Sequence, residues 1–154
     1  DAELQVDDLL SNLSDEYFVL NDLVSPYGNI DHAVISKKGI VFLVETKSHH
    51  GKVTVQENAL YINGHLPEKE FIGQTLHNTY WLRDQISEIT GIKPWIYPII
   101  VFTNAFVPFT KPIKGIRVIN QKYLLSTIDN MSTTESSSYE LWEKIDTIQT
   151  SLIH

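Results

Sequence analysis

The chain has 154 residues, of which 42% are hydrophobic and 20% charged, and it contains no cysteine. That length favours one domain whose core stands without cross-links, and the absence of thiols excludes disulfides and thiolate metal centres. A formal charge of −7 argues against a simple electrostatic grip on nucleic acid.

Val6, Leu9, Leu10 and Leu13 recur at helical spacing and predict a first helix over 2–13. "EYFVLND" reads as a strand. "NIDHAVIS" and "IVFLVETK" read as two more, joined by a Lys37-Lys38-Gly39 turn, and "KVTVQ" and "ALYING" as short strands after them. Pro67, Glu68 and Glu70 open a long helix over 68–90 that Gly91 ends. "PWIYPIIVFT" is an apolar, buried strand and "GIRVI" a last strand; "NQKYLLSTI" is a helix capped by Asn120. "NMSTTESSS" reads as a low-complexity linker. Leu141, Ile145, Ile148 and Leu152 then share one face of a terminal helix over 139–153.

The fold class expected from this order is α/β, a mixed central β-sheet flanked by helices. The expected organisation is a domain over 1–129, a linker over 130–138 and a C-terminal helix, 139–154, packing on that domain. No apolar run is long enough to span a bilayer and no signal peptide is visible, which predicts a cytoplasmic location. The chain opens on Asp1 rather than Met and so reads as a piece of a longer protein, with an anchor or partner domain beyond it. Charge is uneven. Residues 1–31 hold eight acids and no Lys or Arg, whereas Lys37, Lys38, Lys47 and Lys52 follow closely, and Lys111, Lys114, Arg117 and Lys122 form a second basic stretch. Any one of these lysines reads as solvated; together they would give an acidic body a basic rim.

The hairpin carries the chemistry. If Lys37-Lys38-Gly39 is a three-residue loop, Ser36 faces Ile40 and the register sets Asp31 opposite Glu45. Directly opposed side chains share a face, with Cβ atoms roughly 4.5–5.5 Å apart, and Lys47 lies two residues on, hence on the same face. A slip of one residue would send Asp31 to the other face. One acid–base pair at a strand end reads as a solvated ion pair. Two opposed acids repel, and with a lysine beside them among apolar residues they read as a site for a hard divalent cation. Mg²⁺ fits, since it is held through one or two carboxylates and keeps several waters. Such an ion would acidify a water and neutralise phosphate charge, and Lys47 would steady the charged transition state.

The stretches "GNIDHAVIS" and "GIVFLVETKSHHGKV" resemble the NERD, or nuclease-related, domain. Asp31, thirteen intervening residues and Glu45-Thr46-Lys47 are similar to the PD-(D/E)xK nuclease pattern. The resemblance extends from "AELQVDDLL" through "VFT" at 101–103 and on to "VINQKYLLSTI". It implies a restriction-endonuclease-like core that hydrolyses DNA phosphodiesters with Mg²⁺ or Mn²⁺. It makes Asp31 and Glu45 the metal-binding acids, the Thr46 carbonyl an extra ligand and Lys47 the catalytic lysine. The family's first-helix Glu falls on Glu3, ahead of Val6, and its helical Gln on Gln74. NERD domains occur mainly in bacterial and plasmid proteins beside helicase, kinase or zinc-ribbon domains, which are the implied partners along with DNA; a homodimer would suit a double-strand cut. The sequence departs from the pattern at Ala2, where the family has Gly. It departs again at Glu70-Phe71-Ile72-Gly73-Gln74, which lacks the family's Asn-Pro, and at Ser48-His49-His50, where an Asn and an aromatic are usual.

The supporting residues each have a bland reading. Glu3 shares the inward stripe of the first helix, yet an acid there also complements the helix N-terminus. Ile72, Leu76, Thr79, Leu82, Ile86 and Ile89 form the core stripe of the long helix, while Gln74 lies with Asn78, Trp81 and Gln85 on a stripe that faces either a cleft or solvent. His32 alternates away from Asp31 and reads as a packed histidine; His49 and His50 read as a solvated turn. The Lys37-Lys38 turn is roughly 20 Å from Glu45 along the hairpin and takes no catalytic role. Two functions remain open at this stage: a metal-dependent nuclease, or a catalytically weak nucleic-acid-binding or partner-recruiting module on the same fold.

Overall fold

Gly39 adopts a φ of 83°, in the left-handed region that glycine enters without penalty, and the Ser36 amide then donates to the Ile40 carbonyl at 2.8 Å. A Cβ at Gly39 would also stand 2.7 Å from the Ser138 carbonyl oxygen, so both conformation and packing require glycine. The register that follows pairs Ile35 with Val41, Val34 with Phe42, Ala33 with Leu43 and His32 with Val44. This is the register predicted from the three-residue loop, and the ladder ends one step short of Asp31 and Glu45.

This computed structural model describes residues 1–108, 111–134 and 138–152. Its elements are α1 (Ala2–Leu10), β1 (Tyr17–Leu23), β2 (Ile30–Ser36), β3 (Val41–Gln56), β4 (Ala59–Ile62), α2 (Phe71–Thr90), β5 (Ile96–Phe106), β6 (Arg117–Asn120), α3 (Leu124–Thr134) and α4 (Ile145–Leu152). The sheet runs β1-β2-β3-β5-β6, with β4 paired to the far end of β3. β1, β2 and β3 are antiparallel neighbours, and β3, β5 and β6 are parallel. The fold is therefore the expected α/β architecture with a mixed sheet. Among the described residues no helix is long and apolar enough to cross a membrane.

Both faces of the central strands are covered, which is why they read as continuous apolar runs. On one face Ala33, Ile35, Val41 and Leu43 pack with Leu82 and Ile86 of α2 and with Ile145 and Ile148 of α4. On the other, Val34, Phe42, Val44, Ile99 and Val101 pack with Val6 and Leu10 of α1 and with Leu124 and Ile128 of α3. Each fully buried Val, Leu, Ile or Phe side chain among these contributes roughly 1.5–3 kcal/mol.

Several boundaries differ from the sequence reading. "IVFLVETK" and "KVTVQ" are halves of one 16-residue strand, β3; its parallel ladder to β5 shifts register between Lys47 and His50, and the exposed polar run there interrupts the pattern. Helix α2 begins at Phe71 because the Glu70 side chain caps it, accepting the Ile72 and Gly73 amides. Gly91 ends it at φ 76°. Helix α1 stops at Leu10, and the tighter i to i−3 bonds Asn12–Leu9 and Leu13–Leu10 follow. Helix α3 continues through 130–134, which composition assigned to a linker. Ser132 there is buried, its hydroxyl donating to the Ile128 carbonyl at 2.8 Å. The rest of that expected linker includes 135–137, which lie outside the described residues, as does the last residue of the expected 139–153 helix.

Candidate active site

The site lies where β2 and β3 part. Antiparallel hydrogen-bonded pairs alternate, and counting from Ser36–Ile40, Thr46 is the residue beyond Val44 whose amide next points at β2. The ladder ends at His32–Val44, and the Thr46 amide donates to Asp31 Oδ2 at 2.7 Å. The Asp31 carboxylate therefore sits in the fork between the strands, in the place of a backbone acceptor.

Two other carboxyl groups converge on it. Glu3 projects from α1, which Val6 and Leu10 anchor over β3. The Asp1 side chain caps that helix by accepting the Leu4 amide at 2.9 Å, so Glu3 is not needed as the cap. A hydrogen bond with Asp31, then burial, then the negative charges of Asp31, Asp22 and Asp7 push the Glu3 carboxyl up to about 7. Glu45 is only 8% exposed. Burial first, then the charge of Asp31, push it up to about 8, against a lowering pull from Lys47. Its Oε1 is buried without a hydrogen-bond partner, as is Thr46 Oγ1.

Lys47 follows Glu45 on the face toward α2, and its Nζ lies 4.1 Å from the centroid of the Phe71 ring. That is a cation–π contact at close range, and the His49 ring stands edge-on to the same phenyl at 5.3 Å. Gln74 is engaged elsewhere: its Nε2 donates to the Tyr27 carbonyl at 3.1 Å. One turn along α2, the buried Asn78 places its Oδ1 2.5 Å from Ser25 Oγ. Helix α2 thus holds the β1–β2 loop from which Asp31 is launched. Gly28 in that loop has a φ of 109°, and a Cβ there would lie 2.6 Å from Gln74 Nε2.

An open cleft of about 550 Å³ borders this group on the α1 side, lined among others by Glu3, Asp31, Thr46, Ser48, His50 and Asn104. Asp31 is the link between that cleft and the Glu45–Lys47 side of β3. His32 points toward α1, away from the Glu45–Lys47 side of the sheet, as alternation predicts: it is buried, with Nε2 3.3 Å from Asp7 Oδ1. Burial holds its pKa below the usual value, with Asp7 opposing.

Sequence reasoning did not single out Phe71 or Asp22. Phe71 had a core-type signature that could not announce a lysine lying on its ring. Asp22 falls between the pairs Asn21–His32 and Leu23–Ile30, hence opposite Asp31, and takes a φ of 52°. An acid so placed at a strand end was the available signal.

Among the described residues no group of three or more His, Asp or Glu is assembled to hold a metal ion. The donor chemistry nevertheless suits a hard cation: the buried polar atoms left without partners include the oxygens Glu45 Oε1 and Thr46 Oγ1, on consecutive residues next to a carboxylate at the fork. Mg²⁺ needs no all-protein cage.

A family model described as the nuclease-related domain, NERD, matches residues 1–103. That span holds α1 through most of β5, and with it Glu3, Asp31, Glu45, Lys47 and Gln74. Searches of the curated proteins and of the solved structures return no match. The matched span covers well over half of the chain, which therefore belongs to the NERD, or nuclease-related domain, family.

Proposed function

We propose that this chain is a metal-dependent nuclease that hydrolyses DNA phosphodiester bonds. The observation that carries the reading is the convergence of Glu3 and Glu45 on Asp31, where a hydrogen bond to Asp31 and burial hold Glu3 up at about 7, and burial and the charge of Asp31 hold Glu45 up at about 8. Carboxyls whose pKa values burial and like charge raise together are a common mark of a functional centre.

Asp31 and Glu45 would hold Mg²⁺ or Mn²⁺, with Thr46 as a further oxygen donor through its carbonyl. The bound ion would supply charge for the phosphate oxygens and acidity for a water. The Thr46 amide fixes the orientation of the Asp31 carboxylate. Glu3, near neutrality in its titration, is suited to exchange a proton with that carboxylate at physiological pH. Lys47, steered by Phe71, assists the attacking water and stabilises the negative charge that builds on the phosphate. Gln74 acts through the loop it holds. DNA is the substrate partner; a fused helicase, kinase or zinc-ribbon domain would strengthen its grip, given the charge of −7, and a second copy of the chain would suit a double-strand cut.

The test is nicking of supercoiled plasmid with Mg²⁺ or Mn²⁺ by the wild type, Asp31→Ala and Lys47→Ala. Each substitution is expected to slow nicking about 100-fold or more. Equal nicking by all three overturns the reading. A wild type that binds DNA yet cuts with neither metal favours the recruiting module, which the acidic charge balance also suits.

A further inference from the structure

Beside the acid cleft lies a second groove, of about 570 Å³, lined by Phe106, Pro108, Arg117, Ile119, Tyr123 and Thr127, among others. Phe106 is 64% exposed and Tyr123 50%. Large aromatic rings left in water at a groove call for an occupant. The groove and the cleft share one face of the sheet. Asn104 lines the cleft and Phe106, two residues on along β5, lines the groove; residues so spaced point to the same side, roughly 7 Å apart. Asn120 ties this end of β6 to β5 by donating to the Ala105 carbonyl at 2.8 Å.

Three cations lie at or beside this groove. Lys52 is the β3 partner of Phe106, Arg117 lines the groove, and Lys122 places its Nζ 5.1 Å from the Tyr123 ring centroid. Neither Arg117 nor Lys122 makes an ion pair among the described residues. Exposed aromatic faces interleaved with cations are the chemistry of single-stranded nucleic-acid binding: rings stack on unpaired bases while Lys and Arg meet the phosphates. Duplex bases, stacked on one another, offer no free face to such rings.

We propose that this groove binds the unpaired nucleotides that flank the scissile phosphate, so that the substrate class is single-stranded nucleic acid or a single-stranded flap. The proposal rests on the nuclease reading for its cutting step and on the groove alone for its binding step, so the two are tested apart. Binding is measured by fluorescence anisotropy in EDTA, where no cutting occurs, with a labelled oligodeoxythymidine and a blunt duplex of the same length. The wild type is expected to prefer the single strand. Phe106→Ala and Tyr123→Ala are each expected to weaken it about ten-fold, and Lys122→Ala to lower the salt dependence by close to one phosphate contact. Both aromatic side chains are half exposed or more, and an unchanged melting temperature confirms that the variants fold. No preference for the single strand, or aromatic variants that bind like the wild type, overturns the proposal. A concentration-dependent dimer that Phe106→Ala abolishes, with oligonucleotide binding intact, also overturns it and assigns the groove to a second copy of the chain. Cutting is then assayed separately with Mg²⁺. Asp31→Ala that binds the oligonucleotide normally but fails to cut supports both readings, whereas Asp31→Ala that cuts like the wild type removes the nuclease reading and leaves the groove standing.

Discussion

At the scale of single residues, Glu45 sets the energetics of the site. Its carboxyl is raised from 4.5 to about 8, so the folded state holds a proton that the unfolded chain releases. Stability from this source is complete below about pH 4.5 and is lost as pH rises through about 8. Glu45→Gln keeps the shape and removes the titration. We expect the variant to gain roughly 2 kcal/mol over the metal-free wild type at pH 8.5 and nothing at pH 5, as read by urea denaturation. A cation that binds the ionised carboxylates reverses the trend. Mg²⁺ should therefore raise the melting temperature of the wild type more at pH 8 than at pH 6, and this increment should vanish in Asp31→Ala. His32 has the opposite sign. Burial lowers its pKa, so its contribution is present above about pH 6.5 and is lost as pH falls. A buried acid and a buried base in neighbouring strand positions thus erode stability from opposite ends of the pH range.

At the scale of elements, the site depends on α2 as a scaffold more than as a source of reacting groups. Gln74 and Asn78 fix the loop between β1 and β2, and that loop aims Asp31. Gly28→Ala would place a side chain at φ 109° and crowd Gln74 Nε2. We expect it to cost about 2 kcal/mol, from backbone strain and the clash together. Adding Gln74→Ala relieves the clash but not the strain, so the double variant should lose less than the sum of the singles; a double-mutant cycle by denaturation checks this. Nicking should fall in Gly28→Ala as well, since the Asp31 carboxylate has little room to move while it holds the Thr46 amide.

At the scale of the whole molecule, the family match ends at residue 103 while the core does not. Ile148 of α4 is fully buried and packs in the cluster that contains Leu20, Leu43 and Leu82. Ile148→Ala should cost about 2–5 kcal/mol through lost burial and the cavity left behind, with a lower melting temperature and an unchanged nicking rate per folded molecule. A larger fall in nicking than in folded fraction would show that α4 also shapes the site.

What the chain's own pattern determined is local. Gly39 and the period-two alternation were enough to derive the hairpin register up to the end of the ladder beside Asp31 and Glu45, because a turn type and a side-chain period act over a few residues. The alternation also sent His32 away from that pair. Tertiary structure decided the rest. Glu3 reaches Asp31 because α1 lies over β3 through Val6 and Leu10. Lys47 rests on Phe71 because α2 begins beside the middle of β3. Gln74 meets the Tyr27 carbonyl instead of the acids because its helix crosses the β1–β2 loop. Such contacts join segments far apart in the chain, and their geometry follows from how whole faces pack, which no short run of residues encodes.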